Sequence, residues 1–424
     1  MEVLLENVRC FCDYQEISLR PLTLLVGENS SGKTTFLAML NHVSRRDFPL
    51  TRPSFNEEPF DLGPFDSIAT FKGGRYGRAD TFSVGHGFQE EQHRKVLVTY
   101  KSYKGQPIVS KLLVTGESFR IFLEIGEQNE SAEIQMDYKE RRHRFSVDVK
   151  EVMERGAPLN YFLAPTLSQY FQTLKPEESA EASRLMYQYL PPFRGNVPPV
   201  FALAPVRTKP RRTYDEISDE FRPEGQHVPI QLARLWQEEN DSERAHLANA
   251  LSEFGKSATL FKKIGVRRLG PKPSDPFQIL VTTEGPPVNL LDVGYGVSQA
   301  LPLIVESVLA TKGRRLLLQQ PEVHLHPRGQ AALGSFFAHL VSKERKQFVI
   351  ETHSDYILDR IRTEVGQGNL NPEDLSILFF EKRGMVTHIH AIGVDQDGNV
   401  VGAPDSYRQF FLDEELRLMR RAAK

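Results

Sequence analysis

The sequence predicts an α/β fold in which a mixed central sheet is flanked by helices. Between residues 277 and 392, apolar runs alternate with helical patterns, as buried strands and their crossover helices do in such a sheet. Near the N-terminus, the apolar run Leu22–Val26 is followed by a glycine-containing loop and then by the helical pattern Thr35–Leu40. These two regions resemble the halves of one domain, and the material between them differs in character.

Composition narrows the class of protein. The chain has 424 residues and a formal net charge of −2, so no global field draws it to nucleic acid or to an anionic membrane. Its two cysteines, Cys10 and Cys12, exclude a disulfide framework and fit a reducing cytoplasm. We find no apolar run of membrane-spanning length and no signal-peptide pattern at the N-terminus. We therefore expect a cytoplasmic protein without a membrane partner.

Four segments are predicted along the chain. Residues 1–95 form the first half of the α/β domain, and residues 276–424 form the second half. Residues 96–150 form an antiparallel β subdomain, because short β-rich runs there are separated by turn residues. Residues 151–275 form a mainly helical insertion, broken by the prolines at 190–193 and 198–199.

Residues 27–34 read Gly-Glu-Asn-Ser-Ser-Gly-Lys-Thr, the pattern of a phosphate-binding loop. Because a strand precedes the loop and a helix follows it, its backbone N–H groups and the helix N-terminus are expected to hold nucleotide phosphates. Lys33 would reach the terminal phosphates, and the Thr34 hydroxyl would bind Mg²⁺. The predicted nucleotide-binding residues of this loop are Gly27, Asn29, Ser30, Ser31, Gly32, Lys33, Thr34 and Thr35.

Three later motifs are candidates for the rest of the site. The apolar run Leu316–Leu318 ends in Gln319 and Gln320, followed by Glu322. The run Phe348–Ile350 likewise ends in Glu351-Thr352-His353, and His353 from there could meet the γ-phosphate. A second glycine-rich loop, residues 294–296, precedes a helical pattern and again provides a helix N-terminus suited to phosphate.

In this order the motifs resemble those of ABC-type ATPase heads. They are most similar to the OLD-like "AAA" ATPases of prokaryotes, relatives of the RecF and chromosome-maintenance ATPases. Many of these occur in antiphage defence, for example as the ATPase subunits of PARIS or Septu. The resemblance is strong at both ends of the chain and extends more weakly to residues 201–207 and to the tail at residues 397–399 and 410–415. The centre carries no motif.

The resemblance implies ATP and Mg²⁺ as ligands and ATP-dependent dimerisation of the heads. Residues 294–299 correspond to the signature loop, which in that family binds the γ-phosphate of ATP held by the opposite subunit; its binding residues here would be Gly294, Gly296, Ser298 and Gln299. His353 has the place of the switch histidine and His326 that of the D-loop aspartate. The other predicted catalytic residues are Lys33, Gln319 (also a predicted Mg²⁺ ligand), Gln320 and Glu322.

The chain departs from the family pattern at three places. Gly294 replaces the usual signature serine, and no clear Q-loop glutamine follows the first helix, where residues 62–68 stand instead. Gln319 and Gln320 occupy the positions of the Walker B acid and the catalytic glutamate. A glutamine cannot accept a proton as a carboxylate does, and losing a general base costs a factor on the order of 10² to 10⁴. Hydrolysis is thus slow or relies on Glu322 or Glu351, unless one glutamine is an engineered substitution that traps ATP.

Other candidate sites have simpler interpretations. His324 and His326 could bind a metal, but packing near a dimer seam is favoured because no ligand cluster accompanies them. The run Asp395–Asn399 resembles an acidic metal pair of a Toprim nuclease, yet its Asp-Gly-Asn ending predicts a hairpin turn. The basic tract Arg207–Arg212 could contact nucleic-acid phosphate, although a solvated loop is the favoured interpretation.

Three functional hypotheses follow. The first is an ATPase that dimerises around ATP and controls a separate effector, a nuclease or another toxic protein, in antiphage defence. The second is a RecF-like maintenance ATPase that binds DNA directly through the tract at Arg207–Arg212. The third is an ATP-gated scaffold with negligible hydrolysis.

Overall fold

A computed structural model describes residues 1–45, 47–49, 53–74, 77–88, 94–139, 141–154, 159–189, 200–215, 220–237, 241–272 and 274–407. The proline-rich links at 190–193 and 198–199 and the tail motif at 410–415 lie outside these described residues.

The strands are β1 (Glu2–Glu6), β2 (Gln15–Ser18), β3 (Leu22–Gly27), β4 (Asn56–Glu57), β5 (Phe60–Asp61), β6 (Phe71–Gly73), β7 (Gly77–Arg78), β8 (Thr81–Phe88), β9 (Arg94–Tyr103), β10 (Gln106–Thr115), β11 (Phe119–Ile125), β12 (Ser131–Tyr138), β13 (Arg141–Asp148), β14 (Val200–Leu203), β15 (Lys263–Arg268), β16 (Phe277–Thr282), β17 (Val288–Asn289), β18 (Arg315–Gln319), β19 (Gln347–Glu351), β20 (Leu375–Arg383), β21 (Val386–Val394) and β22 (Val400–Val401). The α-helices are α1 (Lys33–Val43), α2 (Phe65–Ile68), α3 (Lys150–Glu154), α4 (Asn160–Gln172), α5 (Pro176–Tyr189), α6 (Val228–Leu235), α7 (Asp241–Ser257), α8 (Tyr295–Leu309), α9 (Pro327–Glu344) and α10 (Asp355–Gly366).

The chain divides into two compact units, each built from segments that are distant in sequence. The first unit comprises Met1–Leu19, Thr34–Ala204 and Gly313–Leu317. The second comprises Arg20–Lys33, Pro205–Lys312 and Leu318–Lys424. The predicted division cuts the chain into four consecutive segments rather than into these two units, and it stays a prediction.

The first unit is dominated by an antiparallel sheet with the strand order β13-β12-β11-β10-β9-β8-β1-β2. Alternate residues along β9 are buried, as expected for a sheet with one face against a core. The predicted β subdomain is part of this sheet. β1 also pairs in it, antiparallel to both β2 and β8.

Within this unit, the C-terminal end of α1 is fixed by a buried histidine. One ring nitrogen of His42 lies 3.1 Å from the Tyr100 hydroxyl on β9, and the other lies 3.2 Å from the Ser54 carbonyl oxygen. The ring stacks on Phe55 with a centroid distance of 4.2 Å. Burial lowers the pKa of His42 to about 4, so the ring stays neutral and the anchor is insensitive to pH near neutrality.

In the second unit, the central sheet has the strand order β19-β3-β20-β21-β22. β3 pairs in parallel with both β19 and β20, and β20 and β21 form an antiparallel pair. The apolar runs of β3 and β19 are completely buried, which is typical of strands covered on both faces. β14 lies beside β18, whose first residues belong to the first unit.

Several helices pack on this sheet or on one another. α9 packs on α10 and contacts β19 and β3, and the ring centroids of Phe337 and Phe348 lie 5.1 Å apart. α7 contacts α8, α9 and β15. The α/β class with a mixed sheet flanked by helices, an antiparallel β region and a helix-rich insertion is thus confirmed.

One predicted strand belongs elsewhere. The apolar run at β16 was expected in the alternating series of the central sheet, but it pairs with β15 and β17 in a separate three-stranded antiparallel sheet. An apolar run predicts a buried strand, but it does not identify the strand's neighbours.

Candidate functional site

The glycine loop between β3 and α1 is closed by its own lysine. The Lys33 ammonium donates to the carbonyl oxygens of Gly27 and Glu28 at 2.9 and 2.7 Å, and it lies 3.5 Å from the Ser31 hydroxyl. Burial lowers the pKa of Lys33, whereas the carboxylates of Glu351 and Glu28 act in the opposite direction. The hydrogen-bond partners of this buried cation are neutral, and acidic side chains lie nearby. Such a cation is suited to bind an anionic ligand.

Backbone conformation explains the glycine at the start of the loop. Gly27 has φ of 139°, and a Cβ there would lie 2.5 Å from the carbonyl oxygen of Phe380 on β20. Ser30 and Gly32 also have positive φ, of 59° and 98°. These conformations curl the chain tightly between strand and helix, as a phosphate-binding loop requires.

The predicted loop residues differ in exposure. Asn29, Ser30 and Thr34 are exposed, Gly27 and Gly32 are half-buried, and Ser31, Lys33 and Thr35 are buried. The Thr35 hydroxyl accepts a hydrogen bond from the Arg9 guanidinium at 3.3 Å. Arg9 also donates to the carbonyl oxygens of Leu62 and Ser67, so it ties the start of α1 to the segment that stands in the Q-loop region.

The ends of β18, β3 and β19 converge beside this loop. The Gln320 N–H donates to the Glu351 carbonyl oxygen at 2.8 Å, and the Thr352 N–H donates to the Leu25 carbonyl oxygen at 3.1 Å. Gln320 has φ of 44°, an uncommon conformation for a residue other than glycine. The amide nitrogen of Gln319 is buried and makes no hydrogen bond within the described residues. A buried amide group without a hydrogen-bond acceptor at this edge of the sheet is available to donate to a bound ligand.

Glu322 and His353 are joined directly. A Glu322 carboxylate oxygen accepts from the His353 main-chain N–H at 2.7 Å. Burial raises the pKa of Glu322, and the hydrogen bonds from His353 and Thr352 and the charge of Arg207 oppose that rise. Burial, followed by the charge of Lys33, lowers the pKa of His353, so its exposed imidazole is neutral at pH 7. The structure therefore brings together Lys33, Gln319, Gln320, Glu322 and His353.

The second glycine loop presents its backbone rather than its polar side chains. Gly294 is exposed, and within the described residues a Cβ there would meet no atom closer than 4 Å. Gly296 is half-buried, with the His324 carbonyl oxygen 3.0 Å from the position of a Cβ. The Ser298 hydroxyl donates to the Tyr295 carbonyl oxygen at 2.8 Å, and Gln299 is buried. The predicted ligand roles of Ser298 and Gln299 therefore stay predictions, with both side chains turned inward.

The basic tract at Arg207–Arg212 does not behave as one solvated loop. Arg207 is only 2% exposed, and the Gln299 side-chain amide bonds to its main-chain N–H and carbonyl at 3.2 and 3.4 Å. Arg212 forms a bidentate ion pair with Asp292 at 2.9 and 2.6 Å. The sequence did not indicate this burial, although Arg207 follows the apolar strand β14 closely.

The two histidines and the acidic run have structural roles. His326 caps α9 by accepting from the Arg328 N–H at 3.3 Å, and the His324 ring packs edge-on against Tyr295. Within the described ranges, no group of three or more His, Cys, Asp or Glu side chains could hold a metal ion. Asp395 accepts from the N–H groups of Asp397 and Asn399, and β21 pairs with β22 across this turn. The predicted hairpin is confirmed.

In the part of the chain that the structure describes, no helix is both long enough and apolar enough to cross a membrane.

Comparison with known families matches residues 22–359 to the family described as "AAA domain, putative AbiEii toxin, Type IV TA system". Similar solved structures include the SMC head domain from Thermotoga maritima, with 10% identity, a TM-score of 0.41, and coverage of 93% of this chain and 98% of that chain. Another is an SMC head with an extended coiled coil bound to the C-terminal domain of ScpA, derived from Pyrococcus furiosus, with 11% identity, a TM-score of 0.43, and coverage of 100% and 99%. A third is the SmcHead bound to the C-terminal winged-helix domain of ScpA, with 11% identity, a TM-score of 0.43, and coverage of 93% and 98%.

The comparison with curated proteins found no match. The family match extends from the first residue of β3 into α10 and so includes the glycine loop, the start of α8 and the ends of β18 and β19. Because it covers well over half of the chain, the chain belongs to this family of AAA-type ATPases.

Proposed function

We propose that this chain binds Mg·ATP at the loop Gly27–Thr34, hydrolyses it slowly, and uses the bound state to dimerise and control a separate effector. The observation that carries the proposal is the convergence of Glu351 and His353 on the buried ammonium of Lys33. A histidine and an acid beside a loop lysine form the arrangement expected around a terminal phosphate.

The residues present fit the two ligands. Loop N–H groups and Lys33 would hold the phosphates, and the Thr34 hydroxyl and the Gln319 amide oxygen are oxygen donors of the kind that Mg²⁺ takes. Bound Mg²⁺ would neutralise charge on the phosphates. The neutral His353 imidazole can donate or accept a hydrogen bond at the terminal phosphate.

Slow turnover follows from the two glutamines. Gln320 can orient a water molecule but cannot take its proton. Glu322 is engaged by the His353 N–H, and its raised pKa makes it a better base than an ordinary carboxylate. Glu322 and Glu351 are therefore the two carboxylates that would act as general base in residual hydrolysis.

Dimerisation would complete the site. The exposed Gly294 and Tyr295 at the start of α8 offer backbone N–H groups and a helix N-terminus on the surface. A second subunit's terminal phosphate is an anion of the right kind for that position. The binding energy of two shared nucleotides would then hold two heads together.

The effector would be a nuclease or another toxic protein, in antiphage defence within the cytoplasm. The family description names a toxin of a type IV toxin–antitoxin system, which supports a role in growth arrest or defence. Co-expression with a nuclease encoded beside the gene tests this part. We expect nuclease activity to differ between the wild-type ATPase and Lys33→Ala, and equal activity would count against it.

ATP turnover and sedimentation of the purified chain with Mg·ATP test the proposal itself. We expect slow hydrolysis and a rise in mass on adding ATP, both abolished by Lys33→Ala. Lys346→Ala is the matched control, because Lys346 is also a buried lysine that donates to main-chain carbonyls, those of Val308 and Ala310. Absence of both ATP binding and ATP-dependent assembly in the wild type would refute the proposal.

An ATP-gated scaffold is the second candidate, favoured by Gln319 and Gln320. It predicts the same rise in mass with no measurable turnover. Direct DNA binding has less support, because Arg207 is buried and Arg212 is paired with Asp292. Salt-dependent affinity for duplex DNA would revive that alternative.

A further inference from the structure

Arg207 is a buried cation whose hydrogen-bonding capacity is unused. Its side chain is 2% exposed, and none of its three guanidinium nitrogens makes a hydrogen bond within the described residues. Burying a charged donor group without partners is strongly unfavourable. Such a group is retained where another state of the protein satisfies it or where its charge is needed.

The main chain of Arg207 is fixed by α8. The Gln299 amide accepts from the Arg207 N–H at 3.2 Å and approaches its carbonyl oxygen at 3.4 Å. Gln299 itself is 1% exposed, so this clamp is shielded from water. A displacement of the first turns of α8 would carry Arg207 with it.

The charge of Arg207 acts on Glu322. Glu322 is the acidic group whose field opposes the effect of burial on the Arg207 pKa, which is about 10, so the guanidinium is charged at neutral pH. One Glu322 oxygen accepts from the His353 N–H at 2.7 Å, and the other is buried and makes no hydrogen bond within the described residues. Glu322 thus interacts with the Arg207 charge and, through a hydrogen bond, with the loop that carries His353.

We propose that Arg207 is a positioning residue that couples the start of α8 to His353 through Glu322. The inference rests on the proposed function, since nucleotide bound by a second subunit is what would displace α8. In the displaced state the guanidinium gains hydrogen bonds to Glu322 that it lacks here. Those hydrogen bonds stabilise the displaced state, and they hold the loop that carries His353 in the position where it can contact the terminal phosphate.

Arg207→Met and Arg207→Lys test the coupling, with Arg315→Met as the matched control. Arg315 is also buried, and burial lowers its pKa to about 10, as it does that of Arg207. We expect Arg207→Met to lower kcat about tenfold or more while leaving the Kd for ATP within about twofold, and Arg207→Lys to recover part of the loss. Arg315→Met should lower thermal stability as much without this loss of kcat.

Equal kcat for the Arg207→Met and Arg315→Met variants would overturn the inference and leave a purely structural role. If neither methionine variant folds, Arg207→Lys, Gln299→Leu and their double variant are compared. Each single variant should lower kcat, and the double variant should lower it no further than the more impaired single variant. Additive losses in that pair would also overturn it.

Hydrogen exchange without nucleotide separates this inference from the proposed function. We expect the peptide spanning residues 347–358 to exchange faster in Arg207→Met than in the wild type or in Arg315→Met, because the Glu322 contact to the His353 N–H is weakened. Unchanged exchange there would refute the role of Arg207 even in a chain that hydrolyses ATP. A wild type that binds no ATP would refute the proposed function, whatever the exchange result.

Discussion

At the scale of single residues, the chemistry of the site depends on which side chains are charged in a buried environment. Lys33 stays near acids that support its charge, whereas His353 lies near Lys33 and stays neutral. The two glutamines add hydrogen-bonding capacity at the strand ends without adding charge. These charges fit the proposed function, in which the site binds an anion and removes a proton from water only slowly.

Gln320→Glu should accelerate hydrolysis. A carboxylate at this position restores a general base where the backbone of Gln320 is already fixed by its hydrogen bond to Glu351. We expect kcat to rise by about tenfold to a thousandfold, since general-base catalysis contributes on the order of 10² to 10⁴. Steady-state kinetics on the two chains measure the change. The double variant with Lys33→Ala should be inactive, and an unchanged kcat for Gln320→Glu would show that the base lies elsewhere.

At the scale of elements, helix ends rather than helix centres carry the site. Ser354, His326 and Gly294 are the N-cap residues of α10, α9 and α8, and the first two cap their helices with side chains. The Ser354 hydroxyl accepts from the Ile357 N–H at 3.2 Å and donates to Gln330 on α9 at 2.6 Å. One hydroxyl thereby fixes two helices next to His353.

Ser354→Ala should destabilise the second unit by about 1–3 kcal/mol. The change removes an N-cap and leaves the side-chain oxygen of the half-buried Gln330 without its donor. Urea unfolding followed by circular dichroism measures the shift. Asn371→Ala is the control, because Asn371 also caps a helix through its side chain but is exposed and caps a single 3₁₀ turn. Equal shifts for the two variants would contradict the prediction.

The β20–β21 hairpin should contribute pH-dependent stability. A hydrogen bond from Ser406, with further help from Arg383 and His390, lowers the pKa of Glu381 to about 2. A carboxylate with a lowered pKa in the folded state stabilises the fold above its unfolded pKa of about 4.3 and loses that effect as the pH falls toward 2.

Glu381→Gln should therefore remove part of the acid dependence. We expect the difference in unfolding free energy between the wild type and Glu381→Gln, at most about 3 kcal/mol, to shrink steadily from pH 4.5 to pH 2. Urea titrations across that range measure it. Parallel curves for the two proteins would show that Glu381 is not stabilised in the fold.

The elements that the sequence predicted well are those with uninterrupted apolar runs. Leu22–Val26, Leu316–Leu318 and Phe348–Ile350 all lie in buried strands. The prediction failed for β16, because an apolar run does not determine which strands it pairs with. The burial of Arg207 was not predicted, and its main chain pairs with Gln299, which is 92 residues away in sequence.

At the scale of the whole molecule, the proposed assembly places the start of α8 against another copy of the chain. Within the described residues, Gly294 has open space around it, so nothing in a single copy requires glycine at this position. A composite site with a second subunit supplies such a requirement, because a side chain there would face the partner's nucleotide.

Gly294→Glu should therefore leave the single chain intact and disrupt its assembly. We expect unchanged thermal stability, because the new side chain meets open space, and a loss of ATP-dependent dimerisation of about tenfold or more, because a carboxylate repels phosphate. Sedimentation with Mg·ATP measures the loss. Gly285→Glu is the control, since a Cβ at Gly285 likewise meets no atom within 4 Å in the described chain. Dimerisation of Gly294→Glu at wild-type affinity would exclude this face.

The position of β3 in the central sheet has a consequence for how the protein is made. β3 lies between β19 and β20, and its flanking residue Arg20 bonds to Pro372, 352 residues later in the chain. During translation, both hydrogen-bonding edges of β3 stay empty until residues 347–380 have left the ribosome. A nascent chain therefore carries the phosphate-binding sequence long before it can bind a nucleotide. Abortive products that end before β19 would be inert, and acquisition of ATP affinity would mark the near-completion of synthesis.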